Sequence, residues 1–167
     1  MQAMQNRQIR YATENDLAAL AQVEAAGFPP AEAATLESLQ KRLAAYPQHF
    51  WLLWDGQILA SFVDGMVTDQ PDLSDEMYEN AALHTEDGAW QMIFGVVTAP
   101  AYRRQGCAAT LLRRAIDDAT AQGRKGLVLT CKARLLPYYA GFGFVDEGVS
   151  ASDHGGVVWH QMRLRLR

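Results

Sequence analysis

Residues 93–109 constrain this chain more than any other stretch. An apolar, β-rich run (93–97) meets Pro100, then a basic turn through Arg103, Arg104 and Gln105 to Gly106 and Ala108, where an amphipathic helical pattern begins at once. Strand, turn and helix in that order expose consecutive main-chain N–H groups, because the turn's amides and the first helical amides have no acceptor inside the helix. The positive end of the helix dipole lies beside them. Gly106 permits close approach to the backbone, and the small Ala108 leaves a ligand room. A site of this kind takes an anion, and a row of amides this long fits a pyrophosphate.

The remaining pattern sets that unit in an α+β chain. Residues 8–11 read as a strand, and Thr13 with Asp16 opens a helix carrying Leu17, Leu20, Ala21 and Val23, broken by Phe28-Pro29-Pro30. A second helix turns Leu36, Leu39 and Leu43 inward and ends near Tyr46-Pro47. Residues 50–54 and 58–67 flank Asp55-Gly56, a favoured pair for a tight hairpin. Residues 69–87 are polar and acidic and read as loop with one helical turn; residues 90–97 form the strand feeding the basic turn. The helix that follows spans 108–122, with Leu111, Leu112, Ala115, Ile116 and Ala119 inward and Gly123 as its stop. A strand at 126–130, a helical turn at 135–140, a strand beginning at 144 and a closing strand at 157–166 complete the chain.

At 167 residues the chain reads as a single domain, 1–167, able to bury a core. A net charge of -4 argues against a broad nucleic-acid surface. No apolar run is long enough to span a bilayer, and residues 1–7 carry no signal-like apolar segment, so no membrane association is expected. Two cysteines, Cys107 and Cys131, are too few for a disulfide framework or a zinc site, which points to a cytoplasmic protein without a metal.

Arg103-x-x-Gly106-x-Ala108 resembles the acyl-coenzyme A signature of the GNAT acetyltransferases. A second block, Leu135-Leu136-Pro137-Tyr138-Tyr139-Ala140-Gly141-Phe142-Gly143-Phe144, is similar to that family's tyrosine followed by a Gly-Phe pair. Within the family the chain resembles the arylalkylamine branch, the serotonin-acetylating type and its microbial relatives. It does so through Cys131 followed by Leu135–Tyr139, through Trp159-His160-Gln161-Met162, and through the Phe-Pro, helix and Tyr-Pro order between Glu24 and Phe50. The resemblance implies the GNAT fold: one mixed, mostly antiparallel sheet with helices on both faces, opened near Val97. It also implies acetyl-CoA as co-substrate and N-acetylation of a small primary amine, arylalkylamine or polyamine, by direct attack in a ternary complex, in a monomer or homodimer. The rival readings are a protein or peptide N-acetyltransferase and a non-catalytic acyl-CoA-binding module.

The same resemblance assigns residues. Main-chain amides of Arg104, Gln105, Gly106, Cys107, Ala108 and Ala109 face the pyrophosphate, and Arg103 and Arg104 add charge for the coenzyme's 3′-phosphate. Val96 and Thr98, either side of Val97, offer main-chain groups to the pantetheine arm, and an amide near 94–96 polarises the thioester. Tyr139 is the catalytic phenol that stabilises the leaving thiolate; its neighbour Tyr138 is the alternative, since consecutive helical residues diverge by about 100°. Cys107 reads either as a helix-terminal nucleophile or as packing, and Cys131 as packing. Phe28 and Pro29 fit a segment over the amine or a plain helix terminator. His154 fits a site or a solvated loop, and Trp159 a substrate pocket or sheet core. Vertebrate members of the branch carry a His-x-His pair where this chain has Met92 and Phe94, so that proton exit does not transfer. An amine with a pKa of ~10 is only ~10⁻³ neutral at pH 7, so a proton must leave; Glu24, Asp64, Glu76, His84, His154 and His160 are the candidate acceptors.

Overall fold

The structure, a computed structural model, describes residues 6–166; residues 1–5, most of the segment expected to lack a leader core, and residue 167 lie outside the described residues. The described chain clusters into two compact units, one formed by residues up to Asp64 with Gly95–Ala115, the other by Gly65–Phe94 with Ile116 onward. Each holds its own sheet.

In the first unit β1 (Arg7–Tyr11), β2 (Phe50–Asp55), β3 (Ile58–Asp64) and β6 (Gly95–Thr98) lie in the order β1-β2-β3-β6, every pair antiparallel. The hairpin turns at Asp55-Gly56 as its sequence requires, with a bulge between Leu53 and Trp54. Thr13 and Asp16 form the expected capping box on a short 3-10 turn that runs into α1 (Leu17–Gly27), which buries Leu20, Val23 and Glu24 and packs on β3 and β6. Helix α2 (Leu36–Ala45) is capped by the Thr35 side chain, which accepts from the Ser38 N–H at 3.1 Å. Leu36 departs from the expected inward row: it is 56% exposed, because the helix is buried only from its second turn, at Leu39, onward.

In the second unit β4 (Val67–Thr68), β5 (Trp90–Ile93), β7 (Gly126–Cys131), β8 (Val145–Val149) and β9 (His160–Arg165) lie in the order β4-β5-β7-β9-β8, with β5 and β7 parallel and the other pairs antiparallel. Two short helices, α3 (Asp75–Glu79) and α5 (Leu136–Ala140), accompany it. Helix α4 (Cys107–Ala121) contributes residues to both units and is followed by Gly123 at φ 75°.

The α+β class with mostly antiparallel strands therefore holds, but the strands make two sheets rather than one. The runs expected at 58–67 and 90–97 each break: β3 gives way to β4 at 65–66, and β5 to β6 at Phe94. The first break passes through Gly65, and the second falls at Phe94, just before Gly95, the first residue of β6. The closing strand starts at His160 rather than 157, since a 3-10 turn occupies His154–Gly156. Among the described residues no helix is long and apolar enough to cross a membrane.

Candidate functional site

The basic turn is built as its sequence asks. After β6 the Ala99 N–H donates to the Ala60 carbonyl at 2.8 Å and a 3-10 turn spans Pro100–Tyr102. The chain then enters the left-handed region twice, at Arg104 (φ 64°) and Gly106 (φ 77°). The Thr110 N–H donates to the Gly106 carbonyl at 3.0 Å, the first i to i−4 bond of α4, so the amides of Cys107, Ala108 and Ala109 lie ahead of it. Those of Arg104, Gln105 and Gly106 have no acceptor among the described residues. The amides named from the sequence thus stand available at one helix entrance, as backbone in this conformation makes an anion-binding nest. Arg103, Arg104 and Gln105 are exposed there, while Ala108 and Ala109 are half-buried. A Cβ at Gly106 would meet no atom within 4 Å, so glycine is required for its backbone angle and not for space.

Strand β6 is the edge of its sheet. The Ala99–Ala60 bond fixes the alternation along the antiparallel pair: Val97 turns its N–H and carbonyl toward β3, and Val96 and Thr98 turn theirs to the unpaired side. The Gly95 N–H is already used, donating to Asp64 Oδ1 at 3.1 Å. Of the amides at 94–96, that of Val96 is the one this pairing directs outward.

Cys107 is buried. Its thiol donates to the Tyr102 carbonyl at 3.7 Å and accepts from Arg7 Nη1 at 3.5 Å. Arg7 Nη2 also donates to Gln105 Oε1, and the Arg7 guanidinium lies 5.4 Å from the Tyr102 ring centre. This clasp on the turn was not foreseen from the sequence.

Beneath β6 the first unit holds a buried charged group. Arg42 Nη1 donates to Asp64 Oδ2 at 3.0 Å, and both side chains are almost wholly buried. Glu24, 5% exposed, accepts the Ala34 N–H on Oε2 at 2.9 Å, while its buried Oε1 has no hydrogen-bond partner among the described residues. Burial, and then the neighbouring Asp64 charge, raise its pKa to about 7. A Cβ on Gly95 would lie 2.7 Å from Asp64 Oδ1 and 3.7 Å from Glu24 Oε1, so only glycine lets β6 pass this close to the carboxylates. Phe28 ends α1, half-buried, and Pro29 is exposed with its carbonyl accepting from the Glu32 and Ala33 N–H groups.

In the second unit α5 separates the two tyrosines: Tyr139 is 6% exposed and Tyr138 42%. Tyr139 packs edge-on to Phe144 and Tyr138, and its hydroxyl has no hydrogen-bond partner among the described residues. Burial first, then Tyr138 and Cys131, push its phenol above the usual range, so it keeps its proton across neutral pH. Cys131 is buried against Met162 with its thiol raised to about 11 by burial, as packing requires.

His154 and Trp159 fall together with two residues that the sequence did not single out as ligand-binding. Tyr78 of α3 stacks on His154 (5.3 Å between centres, 10° between planes) and meets Phe94 at 4.7 Å. His154 lies 6.2 Å from Trp159, whose indole N–H donates to the His154 carbonyl at 2.7 Å; the Lys132 ammonium is 5.9 Å from the indole. The Tyr78 hydroxyl is 3.0 Å from Thr130 Oγ1. Phe94-Tyr78-His154-Trp159 is thus a continuous aromatic row. Of the other candidate proton acceptors, Glu76 is exposed and His160 is 3.3 Å from Asp146. His84 accepts the Val67 N–H on Nδ1 at 3.0 Å and reaches Glu86 through Nε2 at 2.9 Å. Met92 is fully buried.

The family model of the acetyltransferase (GNAT) domain matches residues 16–166. The chain is similar to the GphF GNAT-like decarboxylase in complex with isobutyryl-CoA, at 20% identity over 96% of this chain and 100% of that one, with a TM-score of 0.82. It is similar to the ribosomal-protein-S18-alanine N-acetyltransferase from Escherichia coli, at 18% over 96% and 94%, with a TM-score of 0.71. YncA from Salmonella typhimurium, solved with its cofactor acetyl-CoA, matches at 18% over 97% and 95%, with a TM-score of 0.67. At these identities the likenesses show the fold.

Proposed function

The chain belongs to the GNAT acetyltransferase family and is an acetyl-CoA-dependent N-acetyltransferase; on that premise we propose that its acceptor is a small primary amine bearing an aromatic ring. The observation that carries this reading is the aromatic row Phe94-Tyr78-His154-Trp159. An aryl group adding to the half-buried row is favoured over a peptide backbone or a polyamine, because the Tyr78 hydroxyl and the Trp159 indole N–H are already engaged by Thr130 and the His154 carbonyl and the row offers ring surface.

In this reading the amides of 104–109 grip the co-substrate's diphosphate, Arg103 and Arg104 add charge, and the Val96 carbonyl and the outward groups of Thr98 pair with the pantetheine amides. The neutral amine attacks the acetyl carbon, forming the C–N bond, while the Val96 N–H stabilises the oxyanion. The C–S bond then breaks with its electron pair on sulfur. Tyr139 donates a hydrogen bond to that thiolate. With its pKa raised above ~10, full proton transfer to a thiolate whose conjugate thiol has a pKa of ~8.5 is uphill, so hydrogen bonding is the larger part of its role. The amine proton goes to Glu24, whose raised pKa and unoccupied oxygen suit an acceptor working near neutrality.

A thiol-release assay over an amine panel tests the proposal. Phenethylamine- and indole-ethylamine-type substrates should exceed an alkylamine of equal length by about tenfold in kcat/KM. Preference for a polyamine or an alanine-terminated peptide would overturn the acceptor assignment. Replacing Tyr139 with Phe should lower kcat by ~10²-fold, the size of losing one hydrogen-bond donor to developing negative charge, with far less change in acetyl-CoA affinity; an unchanged kcat removes the role.

A further inference from the structure

We propose that Arg7 is a positioning residue of the co-substrate site, clasping the 103–107 turn from strand β1 and adding positive potential where the diphosphate is held. This rests on the reading of that turn given above.

Arg7 is separated by a hundred residues of sequence from the group it holds. Its guanidinium donates with one nitrogen to the Gln105 side chain and with the other to the Cys107 thiol, straddling Gly106. Gln105 in turn donates to the Ala101 carbonyl at 3.3 Å, so its side chain spans the turn. The Tyr102 ring under the guanidinium is anchored by its hydroxyl to Asp55 Oδ2 at 2.7 Å, and Asp55 is the register partner of Arg7 across β1 and β2. The turn that must aim several amides at one ligand is thereby tied to the sheet by side chains, which is how a site stays preorganised.

The charge matters as well as the geometry. Both acceptors are neutral, no carboxylate pairs with Arg7 among the described residues, and its buried Nε has no partner there. A guanidinium beside the start of a fifteen-residue helix faces the positive end of that dipole. Asp55, the register partner of Arg7, is turned to the Tyr102 hydroxyl, and the two positive fields at the turn favour the two negative charges of a diphosphate.

The experiment is calorimetric titration of coenzyme A and 3′-dephospho-coenzyme A into the wild type, Arg7→Gln and Arg7→Lys at low and high salt, with the melting temperature of each free protein. Arg7→Gln should weaken both ligands about tenfold and flatten the salt dependence, because the diphosphate is common to both. Arg7→Lys, which keeps the charge but loses the fork, should fall between. The KM for acetyl-CoA should rise by more than kcat falls. The proposal is overturned if both variants bind as the wild type does, or if the loss is confined to coenzyme A and so belongs to the 3′-phosphate. It is also overturned if the loss follows a fallen melting temperature with unchanged affinity in the folded fraction. A wild type that binds neither ligand would sink the reading of the turn itself, a different outcome from Arg7 variants that match a binding wild type.

Discussion

At the scale of single residues, Gly106 separates two reasons for a glycine. Its φ is 77°, and the methyl of an alanine there would touch nothing within 4 Å. Gly106→Ala should therefore cost about 1–2 kcal/mol through the backbone alone. If the turn opens to avoid that cost, coenzyme A affinity should fall about tenfold by calorimetry; retained affinity would mean that the left-handed angle is not needed for binding. This position was legible in the sequence, since glycine is the residue that chains use for such angles. Arg104, at φ 64°, was not, because arginine carries no such preference. Glu24 was legible as an acid but not as a buried one: its partners Asp64 and Arg42 lie on β3 and α2, remote in sequence.

At the scale of elements, α3 is the one helical turn expected within residues 69–87, though the sequence did not say where in that stretch it lies. Five residues long within an acidic stretch, it has no room for a helical repeat. Yet Asp75 at its start accepts from the Ser152 hydroxyl and from the Asp153 N–H, tying the helix to the loop that carries His154 and setting Tyr78 against that ring. Aromatic pairs of this kind contribute about 0.5–1.5 kcal/mol beyond burial. Tyr78→Leu should accordingly raise KM for an aryl-ethylamine by roughly two- to tenfold, with the acetyl-CoA KM little moved, in steady-state assays varying each substrate. Equal effects on an alkylamine would place Tyr78 in packing alone. The long amphipathic helix and the Asp-Gly hairpin were readable from their own residues. The change of sheet at Phe94 was not, because Ile93, Val96 and Val97 are apolar on both sides of it.

At the scale of the whole molecule, stability carries the mark of Glu24. Its folded pKa of about 7 lies above the unfolded value of 4.5, so the folded state holds the extra proton between them. The resulting stabilisation is complete below pH ~4.5 and is lost as pH rises through about 7, a span on the order of 3 kcal/mol. Melting temperature should fall from pH 5 to pH 8 in the wild type and stay flatter in Glu24→Gln. The rising limb of kcat/KM near pH 7 should vanish in the same variant if Glu24 takes the amine proton; a limb that survives assigns the proton elsewhere. The matched family domain runs through both compact units, and neither is a continuous segment. A nascent chain leaving the ribosome in order will have made β1, β2 and β3 yet must wait through the synthesis of residues 65–94 for β6 to complete that sheet. Until then the growing polypeptide offers a bare strand margin to the cell, and chaperone dependence should be greatest in that interval.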